Sequence, residues 1–139
     1  MPTLETCRTE IEELHAFFVE WYAGNLEADD FDRMEQAIAP GFELIGPDGE
    51  RLSREETLEW VRDSRGKYAE AVFDIEIRDV ECVERFDDHA LIRYEEWQTL
   101  SGNETGRIST VLFREEPDRP GGLAWVDLQE TWLEPDTDG

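Results

Sequence analysis

Four long runs rich in Val, Ile, Tyr, Phe and Trp occupy the second half of the sequence, and they constrain the fold more than any other feature. Residues of these types favour strands, and the runs are separated by short Gly-, Pro- or Asn-containing segments that favour turns. The pattern predicts strands over 70–85, 89–101, 105–115 and 122–133. Residues 101–104 are predicted to form the hairpin turn between the second and third of these strands.

The first half has helical periodicity instead. Apolar residues three and four positions apart predict a helix over 5–24 and a shorter one over 29–38, which Pro40-Gly41 should end. A short strand is predicted over 42–45, and Ser53 begins a capping box that opens a third helix. Because helices and strands are segregated along the chain, the sequence predicts an α+β fold and not a doubly wound parallel sheet.

Several phrases, in their order and spacing, resemble the nuclear-transport-factor-2-like superfamily, close to its polyketide-cyclase-like and ketosteroid-isomerase-like branch. They are FFVEWY at 17–22, APGFEL at 39–44, PDG at 47–49, the helix from Ser53, GRIS at 106–109 and residues 125–132. The resemblance covers nearly the whole chain. It implies a cone-shaped, curved, mixed or antiparallel sheet wrapped around three N-terminal helices, with a pocket at the open end. The length suits one domain, so we expect residues 1–139 to form a single such domain.

The superfamily includes isomerases, dehydratases, cyclases and non-catalytic binders, so the resemblance locates a pocket without defining its chemistry. Many relatives carry Asp where this chain has Gly41, and many carry His on the last strand where it has Gln129 and Thr131. The resemblance therefore does not support a His-based acid–base mechanism on that strand.

Side-chain alternation predicts which residues face the pocket. If Gly102-Asn103 is a two-residue turn, Gln98 faces Arg107 and Glu96 faces Ser109 on the neighbouring strand. This face is apolar at one end and polar at the other, and we predict that it is the inside of the cone. Its members are Ile92, Tyr94, Glu96, Gln98, Arg107, Ser109, Val111 and Phe113.

The last strand has two alternative orientations. The more apolar one places Val126, Leu128, Glu130 and Trp132 inward, and it brings Glu130 beside Arg107. A one-residue slip would exchange the two faces of the strand. The inward residues would then be Trp125, Asp127 and Gln129.

A carboxylate on a mainly apolar face is a candidate catalytic group, because desolvation raises its pKa and a nearby Arg lowers it. Glu130 is the first candidate for a general base or acid, and Glu96 is the second. Arg107 would orient a carboxylate or enolate oxygen, and Tyr94 would donate a hydrogen bond. The alternative is that Glu130, Arg107 and Gln98 form a polar network that only holds the sheet together.

The expected ligand-binding residues come from the inner face and from the helices. They are Tyr94, Gln98, Arg107, Ser109, Phe113, Leu128, Trp132, Phe18, Trp21 and Trp60. Packing is the more common role for residues such as Trp21 and Trp60, although Trp60 could also cap the pocket. His15 is expected to be a partly exposed residue of the first helix.

We expect no metal or cofactor. The two histidines, His15 and His89, form no ligand pair. The two cysteines, Cys7 and Cys82, match no metal spacing and are expected to be free buried thiols. The sequence also lacks a glycine-rich dinucleotide motif and a phosphate-binding loop.

Thirty-six acidic and thirteen basic residues give a net charge of −23, and Lys67 is the only lysine. This charge opposes binding to nucleic acid or to an anionic membrane, and no apolar run is long enough to span a bilayer. The composition resembles that of cytoplasmic proteins from halophiles that accumulate potassium, where molar salt screens the self-repulsion. An ordinary acidic mesophilic protein is the alternative. The N-terminus has no signal-peptide pattern, so we expect a cytoplasmic protein.

Two functions of different classes remain open. One is a small-molecule-binding domain with an apolar pocket, and the other is a cofactor-independent lyase, isomerase or cyclase that uses Glu130 or Glu96 as base. The absence of the paired Asp or His residues of catalytic relatives favours binding. A domain that mainly dimerises is a third hypothesis. The outer sheet face carries Trp97, Ile108 and Leu112, so we expect a homodimer through this convex face.

Overall fold

The computed structural model describes residues 2–133 and confirms the predicted α+β architecture. Helix α1 spans Leu4–Ala23, a 3₁₀ segment over Ala28–Phe31 leads into α2 (Asp32–Ala37), and α3 spans Arg54–Asp63. The strands are β1 (Ile38–Ile45), β2 (Arg51–Ser53), β3 (Phe73–Phe86), β4 (His89–Leu100), β5 (Asn103–Glu115) and β6 (Leu123–Trp132).

The strands form one mixed sheet with the order β2-β1-β6-β5-β4-β3. Strand β1 runs parallel to β6, and all other neighbours are antiparallel. Helix α1 lies against the inner face, where Ile11 and Leu14 pack in the same buried core as Ile92 and Val111. The indole N–H of Trp21 donates to the carbonyl of Val61 at 2.7 Å, which ties α1 to α3. The core thus fills the closed end of the cone and leaves the other end open.

The segment after α2 differs from the prediction. The helix ends at Ala37 and Ile38 already begins β1, so Pro40-Gly41 lies inside a strand and does not stop a helix. The pairing of β1 with β6 is interrupted between Ile38 and Glu43. This irregularity accommodates a proline, which has no N–H to donate, and Gly41, whose φ is 82°. Strand β2 was not predicted, because three residues are too few to show periodicity.

The hairpin between β4 and β5 turns at Ser101-Gly102, not at Gly102-Asn103. Both turn residues have positive φ, 50° and 90°, as a two-residue type I′ turn requires. Each predicted cross-strand pair is therefore wrong by two residues, and Glu96 faces Arg107 rather than Ser109. Because the error is an even number of residues, every side chain stays on its predicted face.

The convex face of the sheet is partly covered by its own charged side chains. Trp97 and Ile108 are half-buried. The guanidinium of Arg78 lies 4.8 Å from the ring centroid of Trp97, and the indole N–H donates to Glu95 at 2.9 Å. The outer face thus exposes less apolar surface than its sequence indicated.

No helix within residues 2–133 combines the length and the apolar character that crossing a membrane requires.

Candidate functional site

A cavity of about 440 Å³ opens at the end of the cone between the inner sheet face and the helices. One wall is polar and is formed by His15, Glu96, Gln98, Arg107 and Glu130. The rest is mainly apolar and aromatic. This size and mixture are typical of small-molecule sites, in which apolar walls supply most of the contact and a few polar groups orient the ligand. The apolar walls include Phe18, Leu44, Trp60, Trp125, Leu128 and Trp132.

The structure brings eight of the twelve predicted site residues to the cavity wall. These are Glu96, Glu130, Gln98, Arg107, Leu128, Trp132, Phe18 and Trp60. The other four, Tyr94, Ser109, Phe113 and Trp21, are buried in the core and do not line the cavity. Side-chain alternation indicates the face of a sheet but not the depth in the cone. The expectation that these four residues contact a ligand is therefore not supported by their positions.

Strand β6 contains a register shift opposite Leu112 and Phe113, so both of the orientations considered for it occur. C-terminal to the shift the preferred orientation holds, and Glu130 faces the cavity. N-terminal to it the alternative holds, because Trp125 is buried against the cavity and Val126 does not line it. The inward placement predicted for Val126 is thus wrong. A bulge inverts the alternation of side chains, and nothing in the pattern of the strand indicates it.

Arg107 and Glu130 are in contact, as the strand alternation predicted. Nη1 of Arg107 donates to Oε1 of Glu130 at 3.2 Å, and the two side chains are 15% and 10% exposed. Burial, followed by the carboxylate of Glu96, raises the pKa of Glu130 to about 7, although Arg107 opposes the shift. A carboxyl group with this pKa exists in both protonation states near neutral pH.

His15 is the polar residue that sequence reasoning missed. It was expected to be partly exposed, but it is buried in the cavity wall. Its Nδ1 lies 2.7 Å from the carbonyl oxygen of Ile11, and its Nε2 lies 3.0 Å from Oε1 of Glu96. A carbonyl and a carboxylate only accept, so this geometry suits the imidazolium form of His15, in which both ring nitrogens donate. Its position four residues after Ile11 and three before Phe18 was a signal that it belongs to the buried stripe.

The charges of His15 and Glu96 stabilise each other. Burial alone would lower the pKa of His15, but the carboxylate of Glu96 outweighs it and raises that pKa. Burial alone would raise the pKa of Glu96, but His15, Arg107 and the amide of Gln98 outweigh it and lower it to about 2. The Gln98 amide donates to Oε2 of Glu96 at 2.6 Å. The wall therefore holds one ionised carboxylate beside a second one, Glu130, that takes up a proton near neutral pH.

Lys67 lies at the mouth of the cavity, which sequence reasoning did not anticipate. Its Nζ is 4.6 Å from the ring centroid of Tyr22, 4.7 Å from that of Trp60 and 4.9 Å from that of Tyr68. An ammonium over aromatic faces at these distances is attracted by their quadrupoles. Partial burial lowers the pKa of Lys67.

The positions at which the sequence departs from its relatives lie outside this wall. Gln129 and Thr131 are exposed, and neither lines the cavity. Gly41 occupies the irregular part of β1. The histidine that reaches the cavity is His15, which comes from α1 and not from the last strand.

Residues 2–133 contain no group of three or more His, Cys, Asp or Glu side chains placed to hold a metal ion. Both cysteines are free, and Cys7 is buried. The expectation of a buried thiol is wrong for Cys82, which is half-buried near the end of the long strand β3.

Residues 7–134 match the profile of the family described as sucrose-6-phosphate phosphohydrolase C-terminal. The structure is similar to a nuclear-transport-factor-2-like protein of unknown function from Pseudomonas aeruginosa. The TM-score is 0.84 at 29% identity, and the match covers 93% of this chain and 99% of that chain.

Two further solved structures are similar at lower identity. One is a nuclear-transport-factor-2-like protein from Cytophaga hutchinsonii, with 9% identity, a TM-score of 0.70 and coverage of 96% of this chain and 100% of that chain. The other is the CaMKII hub from S. rosetta, with 14% identity, a TM-score of 0.68 and coverage of 90% and 95%. These likenesses show the fold alone, and it is the predicted nuclear-transport-factor-2-like cone. No curated protein matches the chain at a significant level.

Proposed function

Because the chain belongs to the sucrose-6-phosphate phosphohydrolase C-terminal family, we propose that it is a small-molecule-binding domain whose ligand occupies the cavity of the cone. The observation that carries this proposal is the cavity itself, with about 440 Å³ enclosed by largely apolar walls and one buried polar wall. Apolar walls favour a ligand with an apolar or aromatic body, and the polar wall would fix its orientation. The family takes its name from the C-terminal part of a phosphohydrolase, and binding is the role that this cavity supports.

Binding is tested with N-phenylnaphthylamine, an uncharged apolar fluorophore. We expect a saturable increase in fluorescence at one probe per chain. Leu128→Trp adds bulk to a residue that lines the cavity, so it should abolish binding. Val126→Trp makes a similar change on the same strand at a residue that does not line it, and it should retain binding. Equal binding by the two variants, or none by the parent protein, would contradict the proposal.

A second candidate function is acid–base catalysis by Glu130, and the position of its carboxyl in the cavity wall favours it. In this reaction the Glu130 carboxylate would take a proton from the carbon next to a ligand carbonyl, and the electron pair would move to the carbonyl oxygen. Arg107 would stabilise the resulting enolate oxygen. Return of the proton at another carbon would give an isomerase, and loss of a neighbouring leaving group would give a lyase. Glu96 is the poorer base, because His15 and Gln98 hold its carboxylate.

Catalysis is tested by following exchange of the α-protons of β-tetralone with deuterated water by NMR. We expect the exchange rate to rise with pH through about 7, as Glu130 ionises. Glu130→Gln should reduce the rate to that of buffer, whereas Glu55→Gln, which changes an exposed carboxylate, should not. Exchange by Glu130→Gln at the parent rate would exclude this candidate and leave the binding proposal standing.

We further propose the setting in which the domain works. Its charge of −23 and its single lysine support an origin in a halophile that accumulates salt, and with it a cytoplasmic location. The sequence segments that resemble the superfamily support membership of its polyketide-cyclase-like branch and a single domain over residues 1–139. Trp97, Ile108 and Leu112 on the convex face support a homodimer. Each of these proposals stands apart from the ligand-binding proposal.

A further inference from the structure

The ionisable groups of the cavity do not share the acidic character of the chain. Of the residues that line the cavity, three have a basic side chain, His15, Lys67 and Arg107, and two have a carboxyl side chain, Glu96 and Glu130. His15 contacts Glu96 and Arg107 contacts Glu130, and both contacts are direct. Lys67 therefore remains as a positive charge without a carboxylate partner in the cavity, although the net charge of the chain is −23.

Within the part of the chain that the structure describes, no carboxylate oxygen lies within 4.0 Å of Lys67 Nζ. This is unusual in so acidic a chain, because arginines at many surface positions are paired. Examples are Arg51 with Glu43 and Arg62 with Glu35. The partners of the Lys67 ammonium are aromatic faces instead, and these do not neutralise its charge.

The backbone around Lys67 is held in place. The N–H of Gly66 donates to the carbonyl of Trp21 at 2.9 Å, and the N–H of Tyr68 donates to that of Tyr22 at 2.8 Å. These bonds fasten the segment after α3 to the end of α1. Lys67 is an exposed residue, but its ammonium lies between three aromatic rings on a backbone segment that is held on both sides.

Arg107 provides a second donor on the inner wall. Its Nη1 is used by Glu130, but its Nε is buried and has no hydrogen-bond partner within residues 2–133. The guanidinium lies 4.7 Å from the ring centroid of Trp132. Arg107 lines the cavity through other atoms of its side chain.

We propose that the ligand is a small organic anion whose apolar or aromatic body fills the cavity and whose carboxylate or phosphate is bound by Lys67 at the mouth. A cationic ligand is disfavoured, because the aromatic faces at the mouth already hold an ammonium and would place a second one beside it. This inference rests on the proposed binding function and specifies its ligand class.

The test compares two probes with the same rings, anilinonaphthalenesulfonate, which is an anion, and uncharged N-phenylnaphthylamine. We expect the anionic probe to bind more tightly than the neutral probe when both are measured at molar KCl. Lys67→Gln should weaken binding of the anion about tenfold and leave the neutral probe unchanged, and Lys67→Arg should restore most of the affinity. Arg51→Gln makes the same change in net charge at an exposed position outside the cavity and should affect neither probe.

The two sources of negative charge are separated with phenylacetate and phenyl phosphate, using benzyl alcohol as the neutral reference and NMR shifts as the measure of binding. Tighter binding of either anion that depends on Lys67 supports the proposal and identifies the preferred group. If both naphthalene probes bind equally and Lys67→Gln affects them alike, the anion proposal is wrong while the binding function stands. If neither probe binds, the binding function itself fails.

Discussion

His15 and Glu96 are separated by 81 positions in the sequence, yet Nε2 of the histidine lies 3.0 Å from Oε1 of the glutamate. Both side chains are buried, and they belong to α1 and β4. The pair joins the helical half of the chain to the sheet and forms the polar centre of the cavity wall. Its partners on either side are the Ile11 carbonyl and the Gln98 amide.

We predict that Glu96→Gln destabilises the protein by about 3–5 kcal/mol, because it removes one partner of a buried charge pair. The raised pKa of His15 should then fall below 6.5, which an NMR titration of the ring proton would detect. Urea unfolding measures the stability loss. The double variant His15→Leu with Glu96→Leu should recover much of it, because no charge remains unpaired. An unchanged pKa of His15 in Glu96→Gln would refute the ion pair.

The pair of His15 and Glu96 also predicts a pH range in which its contribution to the stability of the protein is greatest. The lowered pKa of Glu96 means that its contribution to stability is present above 4.5 and is lost as pH falls towards about 2. The raised pKa of His15 means that its contribution is present below 6.5 and is lost as pH rises through the folded-state value. The pair should thus stabilise most strongly between pH 4.5 and 6.5, and the double variant should lack this maximum in urea unfolding.

The pKa of Glu130 is shifted in the opposite direction to that of Glu96. Its pKa is raised from 4.5 to about 7, so its contribution to stability is present below pH 4.5 and is lost as pH rises through about 7. Glu130→Gln should remove this loss and make the protein more stable than the parent above pH 7, by about 1–3 kcal/mol. Glu55→Gln, at an exposed carboxylate, is the control. If Glu130 and Arg107 instead form a structural ion pair, the same variant should lose about 3–5 kcal/mol at this pH.

The charge of −23 predicts that thermal stability rises steeply between low and molar KCl. At molar salt the Debye length is about 3 Å, so repulsion among surface carboxylates is largely screened. Differential scanning calorimetry over a KCl series measures the effect, and KCl should act in the same direction on variants of the cavity. An unfolding midpoint that does not respond to KCl would argue against a halophilic protein.

The convex face predicts a homodimer of twice the 16.2 kDa chain mass. A stable two-fold interface would bury about 1,200 Å² or more in total. Ile108→Glu places a charge in this face and should give monomers in light scattering at molar KCl. Val72→Glu adds the same charge at a position that is 75% exposed and precedes β3, so it should leave the dimer intact. A parent protein that is monomeric under these conditions would rule out the proposal.

The long strands β3 to β6, the helices α1 and α3, and the inner face of β4 and β5 were predictable because they depend on local periodicity. The hairpin register was wrong, but the error moved each partner of Glu96 and its neighbours by two residues and so kept the faces. The shift in β6 moved the pattern by one residue, which turned Trp125 inward against the expectation for Val126. Irregular pairing depends on how neighbouring strands curve around the core, and alternation within one strand carries no record of it.

By itself, the sequence predicted the fold class, and it offered the contact between Arg107 and Glu130 as the preferred of two alternatives, since both follow from residue type and side-chain alternation. Only the tertiary structure decided which polar groups meet in the cavity. His15 reaches Glu96 because α1 packs against the inner face of the sheet, and Lys67 reaches the mouth because backbone hydrogen bonds fasten its segment to the end of α1. The protonation of Glu130 likewise depends on Glu96 and on burial, which only the assembled wall provides. Contacts between distant segments depend on packing, and no local pattern encodes them.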